Sequence, residues 1–141
     1  MPVGADAVIA VDTSVALPLL LEGHVEHDAV QRWSVDRRLA LSGHALAETY
    51  SVLTRLPGDM RLMPADAARL LAARFDPPLA IDPSTASRLH SVLAELQISG
   101  GATYDGMIAL AARAHNCVLA TRDARARATY DAVGVTVEIV P

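Results

Sequence analysis

Apolar positions along the chain follow two spacings. Short continuous runs alternate with longer stretches in which apolar residues recur at helical intervals. The runs are Val8 to Val11, Leu39 to Leu41, Leu79 to Ile81, Val118 to Thr121 and Thr136 to Val140. They read as apolar runs rather than as in/out alternations, which predicts strands buried on both faces. Helices are predicted from Thr13 or Ser14, as caps, to about Leu21, from Val25 to Val35, and from His44 to Leu56. Further helices follow at Ala65 to Phe75 behind Pro64, Pro83 or Ser84 to Gln97, Tyr104 to His115 behind a Thr103 cap, and Ala124 to Tyr130. Gly23, Pro57-Gly58, Pro77-Pro78 and Gly100-Gly101 punctuate them. Such alternation predicts an α/β fold. We expect one domain over residues 1–141, with a mainly parallel central sheet of about four or five strands and helices on both faces.

Composition supports a packed domain. Of 141 residues, 52% are hydrophobic and 20% charged, enough apolar surface to exclude disorder. Aromatics make up only 4%, so Ala, Leu and Val must fill the core. The single cysteine, Cys117, excludes an internal disulfide or a cysteine-only zinc site and reads as a small buried hydrophobe. We expect a reducing, cytoplasmic setting. No basic stretch precedes a long apolar run near the start, so no secretory signal is expected. Pro18 interrupts the longest aliphatic stretch, Val15 to Leu21, well short of the roughly 20 residues that span a bilayer.

Charge narrows the chemistry. The formal net charge is −4, and all twelve basic residues are arginines. Without lysine, a Schiff-base amine and the lysine of a phosphate-binding loop are excluded. The acidity disfavours strong non-specific binding to nucleic acid, so a bound polyanion would need local arginines and cations.

Four carboxylates stand out. Asp12 directly follows the first predicted strand, and Asp123 follows the fourth after Arg122. In an open parallel sheet, ligands gather beyond the carboxyl ends of the strands. Each aspartate could instead cap the next helix, although Thr13 and Ser14 can do so for Asp12. Glu48 shares a helical face with Leu41, Ala45, Val52 and Leu56, and Asp105 shares one with Ile108, Ala109 and Ala112. A carboxylate on an apolar face costs free energy unless it is paired or binds a cation. For Glu48 the alternative is an ion pair with an arginine such as Arg113; for Asp105 it is complementation of the helix dipole. If the four converge, their mutual repulsion calls for a cation, and oxygen-only ligation favours Mg²⁺ or Mn²⁺.

The segments around these acids carry a resemblance. Val11-Asp12-Thr13-Ser14-Val15, Ala47-Glu48-Thr49-Tyr50-Ser51, Tyr104-Asp105-Gly106-Met107-Ile108 and Leu119-Ala120-Thr121-Arg122-Asp123 resemble, in order and separation, the PIN-domain nucleases. Within that family, the chain is similar to the VapC-type toxins of bacterial toxin–antitoxin pairs. The resemblance implies a Mg²⁺- or Mn²⁺-dependent endoribonuclease acting on an RNA such as tRNA or rRNA. It also implies a homodimer, inhibition by a cognate VapB-type antitoxin, and no membrane association. Carried onto this chain, it makes Asp12, Glu48, Asp105 and Asp123 the catalytic acids, with Asp12, Asp105 and Asp123 holding metal. Gly106 and Ala126 depart from the family pattern, where an alanine and an aromatic are common, and are expected to loosen packing near the site.

Other residues are assigned around this centre. Thr13, Ser14 and Thr121 are expected to orient the strand-end aspartates or touch phosphate, and Arg122 and Arg125, with Arg127 or Arg113, to contact RNA phosphates. His24 and His27 read as surface histidines. Trp33, with Leu19, Leu20 and Val30, is read as core or as part of a groove for an antitoxin helix. Two rivals were weighed. One is a catalytically inactive PIN-fold binding module. The other is a haloacid-dehalogenase-like phosphatase, which lacks here its second aspartate and its lysine.

Overall fold

A computed structural model of the chain describes residues 6–141. Four strands, β1 (Val8–Val11), β2 (Arg38–Leu41), β3 (Leu119–Thr121) and β4 (Val137–Ile139), form one sheet in the order β2-β1-β3-β4. Every neighbouring pair is parallel. Eight α-helices are present among the described residues: α1 (Thr13–Leu20), α2 (His27–Ser34), α3 (Ala45–Thr54), α4 (Pro64–Arg74), α5 (Pro83–Ser87), α6 (Leu89–Glu95), α7 (Ala102–Ala114) and α8 (Arg127–Val133). Successive residues of β1, β2 and β3 are buried, as strands covered on both faces must be. The α1 helix packs against α2 and α3, α3 against α4, and α7 against α8.

The chain order creates the site. From β1 the chain passes to β2 on one side, and later returns to place β3 on the other. That reversal opens a crevice at the carboxyl ends of β1 and β3, where ligands of open α/β sheets bind. Asp12 follows β1 directly, and the pairing of Val11 with Ala120 puts it level with Thr121.

Several expected elements differ. The predicted strand at Leu79 to Ile81 reduces to a single parallel bridge between Ser42 and Leu79, because the chain turns away after Leu79 has exchanged hydrogen bonds with Leu41 and Gly43. The long helix expected from Pro83 to Gln97 breaks at Arg88 into α5 and α6. Hydroxyl-rich α5 bonds to its own backbone, Ser87 Oγ to the Ser84 carbonyl, and buries nothing. The last helix starts at Arg127 rather than Ala124, because the Asp123 carboxylate accepts the Arg125 N–H and holds a turn there. Cys117 is half-buried rather than fully so.

Neither family departure loosens the packing. Ala126 is 1% exposed in the core. Gly106 is buried on α7 so closely that a Cβ would lie 2.9 Å from Leu93 Cδ2 and 3.4 Å from Ile98 Cδ1. Neighbouring side chains have filled the space that an alanine would take.

A turn after β2 anchors α7. The Ser42 hydroxyl donates to the Ile108 carbonyl at 2.8 Å. Gly43, at φ +54°, comes so near that a Cβ would lie 2.6 Å from the Met107 carbonyl oxygen. Only glycine supplies both that backbone angle and that clearance. His44 then stacks on Tyr104, with ring centroids 4.6 Å apart. The starts of α3 and α7 are thereby held together.

Candidate active site

Asp12 is the hub of a hydroxyl network. Its side chain is buried at 3% exposure and caps nothing, although its backbone stands at the N-cap position of α1. Instead, Ser14 Oγ donates to Asp12 Oδ1 at 2.5 Å, Thr121 Oγ1 to Oδ2 at 2.5 Å, and Tyr130 Oη to Oδ2 at 2.7 Å. Two of these hydroxyls are themselves held by backbone. Ser14 Oγ accepts the Arg122 N–H at 2.8 Å, and Thr121 Oγ1 accepts the Asp123 N–H at 3.0 Å. Backbone amides of the loop carrying Asp123 thus reach Asp12 through two side chains. Of the two roles open to Ser14 and Thr121, orienting the aspartate is the one their hydrogen bonds perform. Thr121 is fully buried and presents nothing to a ligand outside, contrary to an RNA contact.

The other acids arrive on helices. Glu48 and Asp105 each stand in the first turn of their helix, α3 and α7, where the N-terminal dipole eases negative charge. The contacts of Ser42, Gly43 and His44 on α7 bring those two turns together. The Asp105 carboxyl is pushed above the usual aspartate range, first by burial and then by the charges of Asp123, Asp12 and Glu48 in that order. Arg125 offsets this in part. The charges of the other three acids thus reach Asp105 at one rim of the sheet. Among the described residues, no three His, Cys, Asp or Glu side chains close into a metal-ligating cluster.

An open cleft of about 400 Å³ adjoins this rim, lined by Thr13, Ser14, Glu48, Asp123, Arg122 and Arg125 with Leu17, Pro18 and His24. Thr13 is 8% exposed, and its Oγ1 is buried without a partner.

The profile of the PIN domain family matches residues 9–132. The chain is 58% identical over 131 residues to Ribonuclease VapC27 of Mycobacterium tuberculosis, an alignment covering 93% of this chain and 96% of that protein. The chain belongs to the PIN-domain family, among its VapC ribonuclease toxins. Its fold is that of VapC20 of Mycobacterium tuberculosis, a sarcin–ricin loop cleaving toxin, at a TM-score of 0.67 and 22% identity over 94% of this chain and 99% of that one. VapBC2 from Rickettsia felis, solved on a DNA fragment from its promoter, matches with a TM-score of 0.64 and 14% identity over 95% and 99% of the two chains. Solved structures sharing this fold include VapC and FitB toxins in complexes with antitoxins. Ribonucleases of the family are typically metal-dependent. An all-carboxylate donor set around the raised Asp105 fits a hard divalent cation.

The arginines of this VapC toxin divide by their contacts. Arg125 is 93% exposed at the cleft, with Nε 3.4 Å from Asp123 Oδ1. Arg122 lines the cleft but is already engaged, its Nε on the Pro141 carbonyl at 3.1 Å and its Nη2 3.5 Å from Glu26. Arg127 pairs with Asp131 along α8. Arg113 donates to the Val133 carbonyl and so ties α7 to α8; it pairs neither with Glu48 nor with a cleft ligand.

Tyr130 and His24 were not legible as site residues. Tyr130 was read as the end of a helix, and its partner lies 118 positions earlier. His24 lines the cleft with its Nδ1 accepting the Glu26 N–H at 3.1 Å, which leaves Nε2 as the protonated nitrogen of the neutral ring. Trp33 packs against the core, its indole donating to Glu138 on β4 at 2.6 Å and Arg37 lying over its ring. An apolar groove of about 620 Å³ lies between α3 and α4 and shares no lining residue with the acidic cleft.

No helix among the described residues is long and apolar enough to cross a membrane.

Proposed function

We propose that the chain is an endoribonuclease whose acids Asp12, Glu48, Asp105 and Asp123 form one catalytic centre around Mg²⁺ or Mn²⁺, in a single domain spanning residues 1–141. The observation that carries this reading is the convergence on Asp105, whose carboxyl is raised first by burial and then by the charges of the other three. A divalent cation bound there supplies charge neutralisation and a polarised phosphodiester and water. Asp12 and Asp105 would be the principal ligands, with Asp123 beside them. Glu48, at the cleft wall, would orient the attacking water and accept its proton while the P–O bond to the leaving ribose oxygen breaks. The Arg122 and Asp123 amides, acting through Ser14 and Thr121, hold Asp12 in place while charge develops.

Arg125 is the foremost phosphate contact, because its guanidinium is exposed at the cleft. Arg122, Thr13 and Ser14 border the same RNA path. The substrate is a structured RNA such as tRNA or rRNA, and the active form is a cytoplasmic homodimer restrained by a cognate VapB-type antitoxin. The test is cleavage of structured RNA in Mg²⁺ or Mn²⁺ by Asp12→Asn and Asp105→Asn. Each is expected to lose more than the roughly 10–100-fold that a ligand's supporting residue costs. Activity retained in both variants would overturn the assignment.

A further inference from the structure

The three hydroxyls on Asp12 divide unequally between its oxygens. Oδ1 accepts from Ser14 alone, whereas Oδ2 accepts from both Thr121 and Tyr130. A carboxylate offers about four acceptor positions, two on each oxygen. Oδ2 is thereby filled, and the one position left belongs to Oδ1. We propose that Tyr130 is a positioning residue that makes Asp12 a one-oxygen ligand, and so biases the site toward Mg²⁺ or Mn²⁺ and against Ca²⁺. This rests on the reading of Asp12 as a cation ligand.

The coordination chemistry gives the direction. Ca²⁺ takes six to eight oxygens and readily uses both oxygens of a carboxylate, whereas Mg²⁺ demands an octahedron and takes carboxylates through single oxygens. A carboxylate with one oxygen closed by hydroxyl donors suits the smaller ion. Tyr130 is placed for this duty alone. Ser14 and Thr121 also hold the backbone of the loop carrying Asp123, but the Tyr130 hydroxyl has Asp12 as its one partner among the described residues. Its ring is fully buried, so the hydroxyl has no water to turn to.

Calorimetric titration of Mn²⁺ and of Ca²⁺ into the full RNA-free chain tests this. Tyr130→Phe keeps the ring and removes the donor. Its preference for Mn²⁺ over Ca²⁺ is expected to narrow roughly tenfold, the scale on which residues that orient a ligand act. Thr121→Val opens the same oxygen and should narrow the preference likewise; it decides the question if Tyr130→Phe does not fold. Ser14→Ala opens Oδ1 instead and, because Ser14 Oγ also lies 3.3 Å from Thr121 Oγ1, should narrow the preference less than Tyr130→Phe does. An unchanged ratio in folded Tyr130→Phe, or an equal narrowing in Ser14→Ala, overturns the proposal. Wild-type Mn²⁺ affinity in Asp12→Asn would overturn the underlying reading of Asp12 instead.

Discussion

Asp12 and Asp105 are the same side chain in two opposite settings at one site. Asp12 is buried and receives three hydroxyl donors, so the protein itself supplies what its charge requires. Asp105 is partly buried and gains nothing comparable: burial and three neighbouring acids both act against its ionised form. One carboxylate is part of the folded scaffold. The other is held under repulsion that a cation would relieve. In the proposed centre, a ligand whose geometry is settled in folding would thus stand beside one whose stability depends on what binds.

The sharpest way to break this arrangement is at the turn that delivers Asp105. Gly43→Ala sets a methyl against the Met107 carbonyl at a positive φ, and should cost on the order of 3 kcal/mol in denaturant unfolding. A loss below 1 kcal/mol would mean that α7 is not held there.

The two carboxylates should also respond to neutralisation with opposite signs. Asp12→Asn turns an amide N–H toward hydroxyl donors in a buried site, and should destabilise the metal-free protein by about 1–3 kcal/mol. Asp105→Asn removes a repelled charge and should raise the thermal midpoint of metal-free protein at neutral pH. Because the folded-state pKa of Asp105 is raised, the folded protein holds more protons than the unfolded chain between the ordinary aspartate value and the raised one. Its contribution to stability therefore falls as pH rises through that window and stays unfavourable above it. The advantage of Asp105→Asn should fade as pH is lowered through the same window. Equal signs for the two variants in a pH series of thermal melts would abolish the distinction.

The smallest effect concerns the cleft rim. Arg125→Ala should reduce the slope of log affinity for RNA against log salt by about 0.7, one single-stranded phosphate contact. Arg122→Ala should reduce it less, because that guanidinium is held by Glu26 and the Pro141 carbonyl. The reverse ranking would place the RNA path on the other wall.

Much of the scaffold was legible from neighbouring residues. Continuous apolar runs marked β1 and β3, and the acids behind them pointed to the carboxyl edge, because strand direction and side-chain burial follow from local pattern. Glu48 and Asp105 drew notice as charges on apolar helical faces. The limits were equally physical. Leu79 looked like a strand but pairs through one bridge, since strand length depends on how far a neighbour runs alongside. Gly106 and Ala126 looked loose, because composition does not reveal that Leu93 and Ile98 fill the space around Gly106.

What the sequence by itself determined is the inventory: parallel strands, connecting helices, four acids in register, and arginine as the sole basic residue at neutral pH. Such features rest on backbone preferences and apolar burial that act over a few residues. Tertiary structure alone decided which hydroxyl meets which oxygen. The pairing of Val11 with Ala120 brings Thr121 beside Asp12, and the packing of α8 carries Tyr130 to the same carboxylate. Those contacts join positions more than a hundred residues apart, and hydrogen bonds act only over the last few ångströms, which strand register and helix packing set.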